Sequence, residues 1–195
     1  KSVRAKITSV LEQKAKEEKV TEKKETAFVA VSIGKGLNSL FKELGADYVI
    51  EGGQTMNPST EDILKAIKKA NAKSCIVLPN NKNIILAANQ ARDIATDCEV
   101  TVLPTKTIPQ GITALINYIP EESARDNAKR MLKEIEKVKS AEITYAVRDT
   151  KINDHEIHKG DYMGIGDKGL LAVNPDIQKA FVELLNAMLT EESTT

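Results

Sequence analysis

Between Ala27 and Leu103 the chain alternates short, continuously apolar runs with longer segments whose apolar residues recur at helical spacing. Ala27-Phe28-Val29-Ala30-Val31-Ser32-Ile33 is apolar on both of the faces a strand would present, which predicts a strand covered on two sides. Gly34-Lys35-Gly36 turns it into a helix running through Leu44. Further strands are predicted at Asp47 to Ile50, Cys75 to Leu78 and Glu99 to Leu103. Each is followed by a helix, carrying Ile63, Leu64 and Ile67, then Ile84, Ile85, Ala88, Ala91 and Ile94, then Ile112, Leu115 and Ile116. Four β-α units in succession predict a parallel sheet with helices on both faces and right-handed crossovers. Either Asn57 before Pro58, or Ser59 with Asp62 three residues on, supplies the N-cap of the second helix.

The rhythm then changes. A long helix is predicted from Pro120 to Lys139, with Ala124, Ala128, Met131, Leu132, Ile135 and Val138 as its buried stripe. Short strands at Glu142 to Arg148, His155 to Lys159, Tyr162 to Ile165 and Leu170 to Val173 are separated by turn residues and suggest an antiparallel sheet. Asn174-Pro175-Asp176 opens a final helix whose apolar face carries Ile177, Ala180, Phe181, Leu184, Leu185 and Met188. The fold class expected is therefore α/β in two lobes, a parallel Rossmann-like β-α sheet followed by a smaller antiparallel α+β lobe. The division expected is an N-terminal helix and linker over 1–26, a parallel lobe over 27–120 and a helix-plus-antiparallel lobe over 121–195. Val3, Ile7, Val10 and Leu11 recur at helical spacing within the first segment, and a mixed charge run follows from Lys14 to Glu25.

Composition narrows the function. Lys plus Arg equals Asp plus Glu at 28 each, so no global charge argues for nucleic acid or an anionic membrane. No apolar run approaches the ~20 residues that span a bilayer, no signal peptide is recognisable, and a cytoplasmic location is expected. The chain begins with Lys1 rather than Met, which suggests a piece of a longer protein. Cys75 and Cys98 lack C-x-x-C spacing, lie on predicted buried strands and read as reduced core thiols. His155 and His158 fall on opposite faces of a strand and read as turn or surface residues rather than metal ligands. No phosphate loop, H-E-x-x-H or G-x-S-x-G pattern is present, so no catalytic residue and no metal ligand is assigned.

The candidate chemistry lies in loops. Glu51-Gly52-Gly53-Gln54-Thr55-Met56-Asn57-Pro58-Ser59-Thr60 follows the second strand, Pro79-Asn80-Asn81-Lys82-Asn83 the third, and Pro104-Thr105-Lys106-Thr107-Ile108-Pro109-Gln110-Gly111 the fourth. In an open parallel sheet such loops share the edge where ligands or partners bind. Gly52, Gly53, Gln54, Thr55, Asn57, Ser59, Thr60, Asn80, Asn81, Thr105 and Lys106 are the candidate partner- or ligand-binding residues there. Gly34-Lys35-Gly36 is either a plain tight turn or an anion nest at a helix start. Arg148 and Asp149, at the lobe boundary, either form a structural ion pair or fix an acidic partner, and both join the candidate set.

These motifs, with Tyr145-Ala146-Val147-Arg148-Asp149-Thr150 as a fourth, resemble the C-terminal region of the ATP-binding subunit of bacterial fatty acid kinase, a dihydroxyacetone-kinase-like family. The resemblance runs from Ala27 to Met188. It implies a fold related to DegV proteins and the dihydroxyacetone kinase substrate domain. It also implies a place beside an N-terminal kinase domain that uses ATP and magnesium, and a middle domain, neither contained in this chain. The partner implied is a separate DegV-type fatty-acid-binding subunit, whose lipid is phosphorylated and passed to phospholipid synthesis. This region would then dock that subunit and need no cofactor of its own. Family members usually continue past the equivalent of Met188 with a further β-α segment. Small-ligand binding (a phosphate, acyl or dihydroxyacetone-like molecule) is the alternative, and phosphatase activity a more remote one.

Overall fold

The computed structural model describes residues 22–53, 56–152, 155–167 and 169–189. The N-terminal helix expected around Val3 to Leu11, and the candidates Gln54 and Thr55, lie outside the described residues.

Four parallel strands form the first sheet: β1 (Lys24–Ser32), β2 (Tyr48–Glu51), β3 (Ala72–Leu78) and β4 (Glu99–Val102), in the order β2-β1-β3-β4. Because successive strand residues point to opposite faces, β1 and β3 each split into two sets. Phe28, Ala30, Ile76 and Leu78 face one side, where α1 (Lys35–Glu43), α4 (Ile108–Ile116) and α5 (Ala124–Ile135) contribute Phe41, Ala114, Leu115, Met131 and Ile135 to one core. Val29, Val31, Cys75 and Val77 face the other, against Ile63, Ala66 and Ile67 of α2 (Thr60–Ala70) and Ala88 and Ala91 of α3 (Ile85–Ile94). The continuous apolar run of β1 is thus explained by helices on both faces.

β1 starts at Lys24, three residues before the expected strand. Lys24 bonds Asp47 and Glu25 bonds Lys73 across the sheet, so charge here decorates a strand end rather than marking a linker. Of the two caps left open for α2, Ser59 holds it: its hydroxyl accepts from the Asp62 amide while the Asp62 carboxylate accepts from the Ser59 amide. Ser59→Ala is expected to cost about 1 kcal/mol, read as a lower denaturant midpoint at unchanged slope.

The long helix expected from Pro120 to Lys139 is shorter. Ser123 caps it, and the fully buried Asn127 draws the preceding loop inward by donating to the carbonyls of Ile119 and Glu122 and accepting from the Ile119 amide. Pro120 therefore sits in a turn.

The second sheet is antiparallel, in the order β5-β8-β9: β5 (Ala141–Tyr145), β8 (Tyr162–Gly166) and β9 (Gly169–Asn174). Its covering helix α6 (Ile177–Met188) comes so close at Gly164 that a Cβ there would lie 2.9 Å from a Leu184 methyl. The expected strand Glu142 to Arg148 ends at Tyr145, because Ala146 bonds instead to Asp161 and Gly160, and the chain turns into a separate ladder of β6 (Thr150–Ile152) with β7 (His155–Ile157). The fold class read from sequence, a parallel β-α sheet followed by an antiparallel α+β unit, is the one observed.

Candidate functional site at the carboxyl edge of the parallel sheet

The chain passes from β1 outward to β2 and then returns past β1 to β3, so the direction of winding reverses between β1 and β3. In open α/β sheets the crevice beyond that reversal is the usual binding position. Gly34, with φ +82°, opens α1 there without a side-chain cap.

Asn80 organises this edge. It is 7% exposed and holds a left-handed φ of +55°, a conformation asparagine tolerates better than most residues. Its amide N–H donates to Thr105 Oγ1 (3.0 Å) and its Nδ2 donates to the Val31 carbonyl (2.9 Å), tying the ends of β1, β3 and β4 together. Its Oδ1 faces Gly111, where an added Cβ would lie 2.1 Å from that oxygen. Thr105 is fully buried. Gln110 accepts from the Lys106 amide and donates to the Ile135 carbonyl, and Thr107 Oγ1 lies 2.8 Å from Ser140 Oγ at the entrance to the second sheet. Among the described residues, three buried polar oxygens, Ser32 Oγ, Asn38 Oδ1 and Asn80 Oδ1, have no hydrogen-bond partner.

The loop after β2 joins the same surface. The Gly52 amide donates to the Ser32 carbonyl, and a Cβ on Gly52 would lie 2.8 Å from Pro58 Cδ and 3.2 Å from a Val31 methyl. Gly53 exchanges backbone hydrogen bonds with Met56 and lies directly beneath Ile33. Both glycines are required by close approach, as binding loops often are. The functional reading and the packing reading therefore apply to the same residues.

Of the residues proposed from sequence, Gly52, Gly53, Asn57, Ser59, Asn80, Asn81, Thr105 and Lys106 lie in the loops leaving one sheet edge, and Thr60 is the first residue of α2 there. Several are occupied internally. Ser59 caps α2, Thr60 donates to Gln90, Asn81 Oδ1 accepts from the Asn83 amide, and Asn80 and Thr105 brace the strand ends. The side chains of Asn57 and Lys106 are exposed and make no bond among the described residues. Arg148 and Asp149 lie between β5 and β6. Asp149 Oδ1 accepts from the Lys159 amide, the arginine is exposed, and no hydrogen bond or ion pair among the described residues joins either to the loops of the parallel sheet.

What the sequence reading missed is an apolar component. Ile33 (48% exposed) packs against Gly53, and Met56 (58% exposed) bonds Gly53 through its backbone, so both present apolar side chains in these loops. The signal was present in Ile33, an apolar residue placed directly before the Gly34 turn, where a strand's covered faces end. Beside them a cleft of about 450 Å³ runs along the outer strand β2, lined among others by Met56, Asn57, Pro58, Lys65 and Lys69. Among the described residues, no group of three or more His, Cys, Asp or Glu side chains is placed to hold a metal. No helix among them is long and apolar enough to cross a membrane.

Two exposed carboxyls are held below their ordinary range: Asp62 by hydrogen bonds from Ser59, and Asp126 by a hydrogen bond from Ser123. Their folded values lie below the reference of 3.8, so their contribution is complete above it and is lost as pH falls below it. The Tm should therefore fall below about pH 4, and the double variant Ser59→Ala, Ser123→Ala should flatten that fall.

The model of the FakA-like C-terminal family, which describes the C-terminal region of a fatty acid kinase subunit, matches residues 27–195, all of both sheets except the first three residues of β1. The chain belongs to that family. Uncharacterised proteins of Staphylococcus aureus, among them those of strains USA300 and MRSA252, are 47% identical to it over 169 residues, covering 87% of this chain. The chain spans 31% of the length of these relatives. A DegV family protein from Corynebacterium glutamicum shares the fold, with a TM-score of 0.58 at 12% identity over 84% of this chain and 73% of the other. This member of the FakA-like family thus carries a DegV-like architecture.

Proposed function

We propose that the carboxyl edge of the parallel sheet is a protein-docking surface. In the whole kinase subunit it receives the DegV-type fatty-acid-binding subunit, while a kinase domain elsewhere in the protein transfers phosphate from ATP with magnesium. The observation that carries this reading is the exposure of two large apolar side chains, Ile33 and Met56, in loops leaving one braced sheet edge, where the exposed Asn57 and Lys106 make no bond among the described residues. An apolar centre with a polar rim is the composition of a protein interface. The domain itself then carries out no chemistry; it positions a lipid carrier for a reaction whose product enters phospholipid synthesis. Calorimetry of this chain with the lipid-loaded subunit tests the proposal: saturable heat supports it, and absence of heat with an intact fold defeats it.

The cleft along β2 favours a second reading, a small acyl or phosphate-ester ligand held near Lys65 and Lys69. Lys65 already pairs with Glu61, and Lys69 lies over the Tyr48 ring and donates to its hydroxyl, so neither ammonium is unengaged. Such a ligand at a hundredfold excess over its dissociation constant would stabilise the fold by about 2.7 kcal/mol. Thermal scans with an acyl phosphate and with glycerol phosphate decide this alternative.

A further inference from the structure

The last helix carries a face that the docking reading leaves unexplained. Of the apolar stripe read from the sequence of α6, only Ala180 and Leu184 are buried. Ile177, Phe181, Val182, Leu185 and, just past the helix end, Leu189 are 50%, 51%, 54%, 43% and 59% exposed. The four-residue step from Ile177 to Leu189 puts them on one flank of the helix. No charged side chain interrupts that flank, since Lys179 and Glu183 fall on the other.

The second sheet leaves room beside it. α6 rests chiefly on β9 and β8, and Glu183 Oε1 accepts from Asn174 Nδ2 at the end of the outer strand β9 (2.9 Å), so the apolar flank is turned the other way, towards β5. Because Ile143 pairs with Gly164 and Tyr145 with Tyr162, both of these β5 side chains share the sheet face on which Gly164 meets Leu184. Tyr145 is 62% exposed there. Three strands under one helix thus keep an apolar step, helix flank above and β5 below, that remains open among the described residues.

We propose that this step is an isologous interface with a second copy of the chain, the two α6 helices packing antiparallel across a two-fold axis level with Glu183. Such an axis sets Phe181 of one protomer against Leu185 of its partner, and Ile177 against Leu189, because the evenly spaced stripe reads the same in both directions. An interface that uses one patch twice must be its own complement. With no charge on the flank, the axis brings no like charges together. The five side chains and Tyr145 leave about 600 Å² open on each copy, at the top of the range that a monomer normally exposes as one apolar patch. Two such faces supply about 1,200 Å², the lower end for a specific interface, so the dimer dissociates on dilution. None of these residues belongs to the carboxyl edge of the parallel sheet, so pairing and carrier docking can fail separately.

Sedimentation velocity of the 195-residue chain, over a dilution series from submillimolar to submicromolar concentration, tests the pairing. The average mass is expected to fall from that of two chains towards that of one, with half-dissociation in the micromolar range. Phe181→Lys with Leu185→Lys, and Phe181→Glu with Leu185→Glu, should each weaken pairing at least about tenfold, and an equimolar mixture of the two should recover it as a heterodimer. Both positions are about half exposed, so circular dichroism should show the fold retained. A truncated chain lacking residues 1–21 is run beside them, because Val3, Ile7 and Leu11 make that segment the rival occupant; it should pair as the whole chain does. Wild type that stays monomeric throughout, charged variants that pair as tightly as wild type, or a mixture that stays monomeric overturns the proposal. Pairing seen only after truncation assigns the flank to the N-terminal segment and overturns it as well.

Discussion

Gly111→Ala is expected to lower the stability of the chain by about 3 kcal/mol, the upper range for forcing an atom into a filled site. The new methyl would overlap Asn80 Oδ1, and Asn80 cannot swing aside without breaking the bond from its Nδ2 to the Val31 carbonyl. For a chain of this size the change corresponds to a drop in Tm on the order of 10 °C. The cause is separable by a double-mutant cycle. Asn80→Gly keeps the left-handed backbone accessible but removes the side chain that collides, so adding Gly111→Ala in that background should cost little. A coupling of about 2 kcal/mol between the two positions is expected. Additive costs would show that Gly111 is constrained by its own helix and not by Asn80.

The second large effect concerns binding alone. Ile33→Asp and Met56→Asp each place a charge where the docking proposal puts the dry centre of an interface, and each should weaken capture of the fatty-acid-binding subunit by about 2 kcal/mol or more, roughly thirtyfold. Both side chains are about half exposed in the isolated chain, so its Tm should hardly move. Titration calorimetry read beside thermal scans separates the two quantities. Full affinity in both variants would remove this edge from the interface, whichever surface then proved to bind.

Comparing sequence with structure shows which physical signals were local. The parallel sheet was legible because burial on two faces leaves an uninterrupted apolar run, as in Ala27 to Ile33. The Ser59–Asp62 cap was legible as one of two options because its chemistry is complete within four residues. The late start of α5 was not, since it depends on Asn127 reaching back to Ile119, and nothing about an asparagine announces that it is fully buried. The break after Tyr145 was hidden for a similar reason: the residues that end β5, Gly160 and Asp161, are distant in sequence. At the candidate site, polarity marked loops that share one edge of the sheet. It could not distinguish Asn80, which braces the edge, from Asn57, which faces outward. That difference lies in which distant carbonyl each can reach.

Because Asn80 links three strand termini through one enclosed residue, its backbone amide to Thr105 and its side chain to Val31, the edge is braced as a preformed plate rather than as loops that organise on contact. A plate that is rigid in the unbound protein loses little freedom when its partner arrives, so more of the contact energy remains as affinity. If the edge docks a carrier as proposed, encounter should proceed at an ordinary rigid-body rate of about 10⁵–10⁷ M⁻¹s⁻¹, and discrimination among carriers should appear chiefly in how long each complex survives.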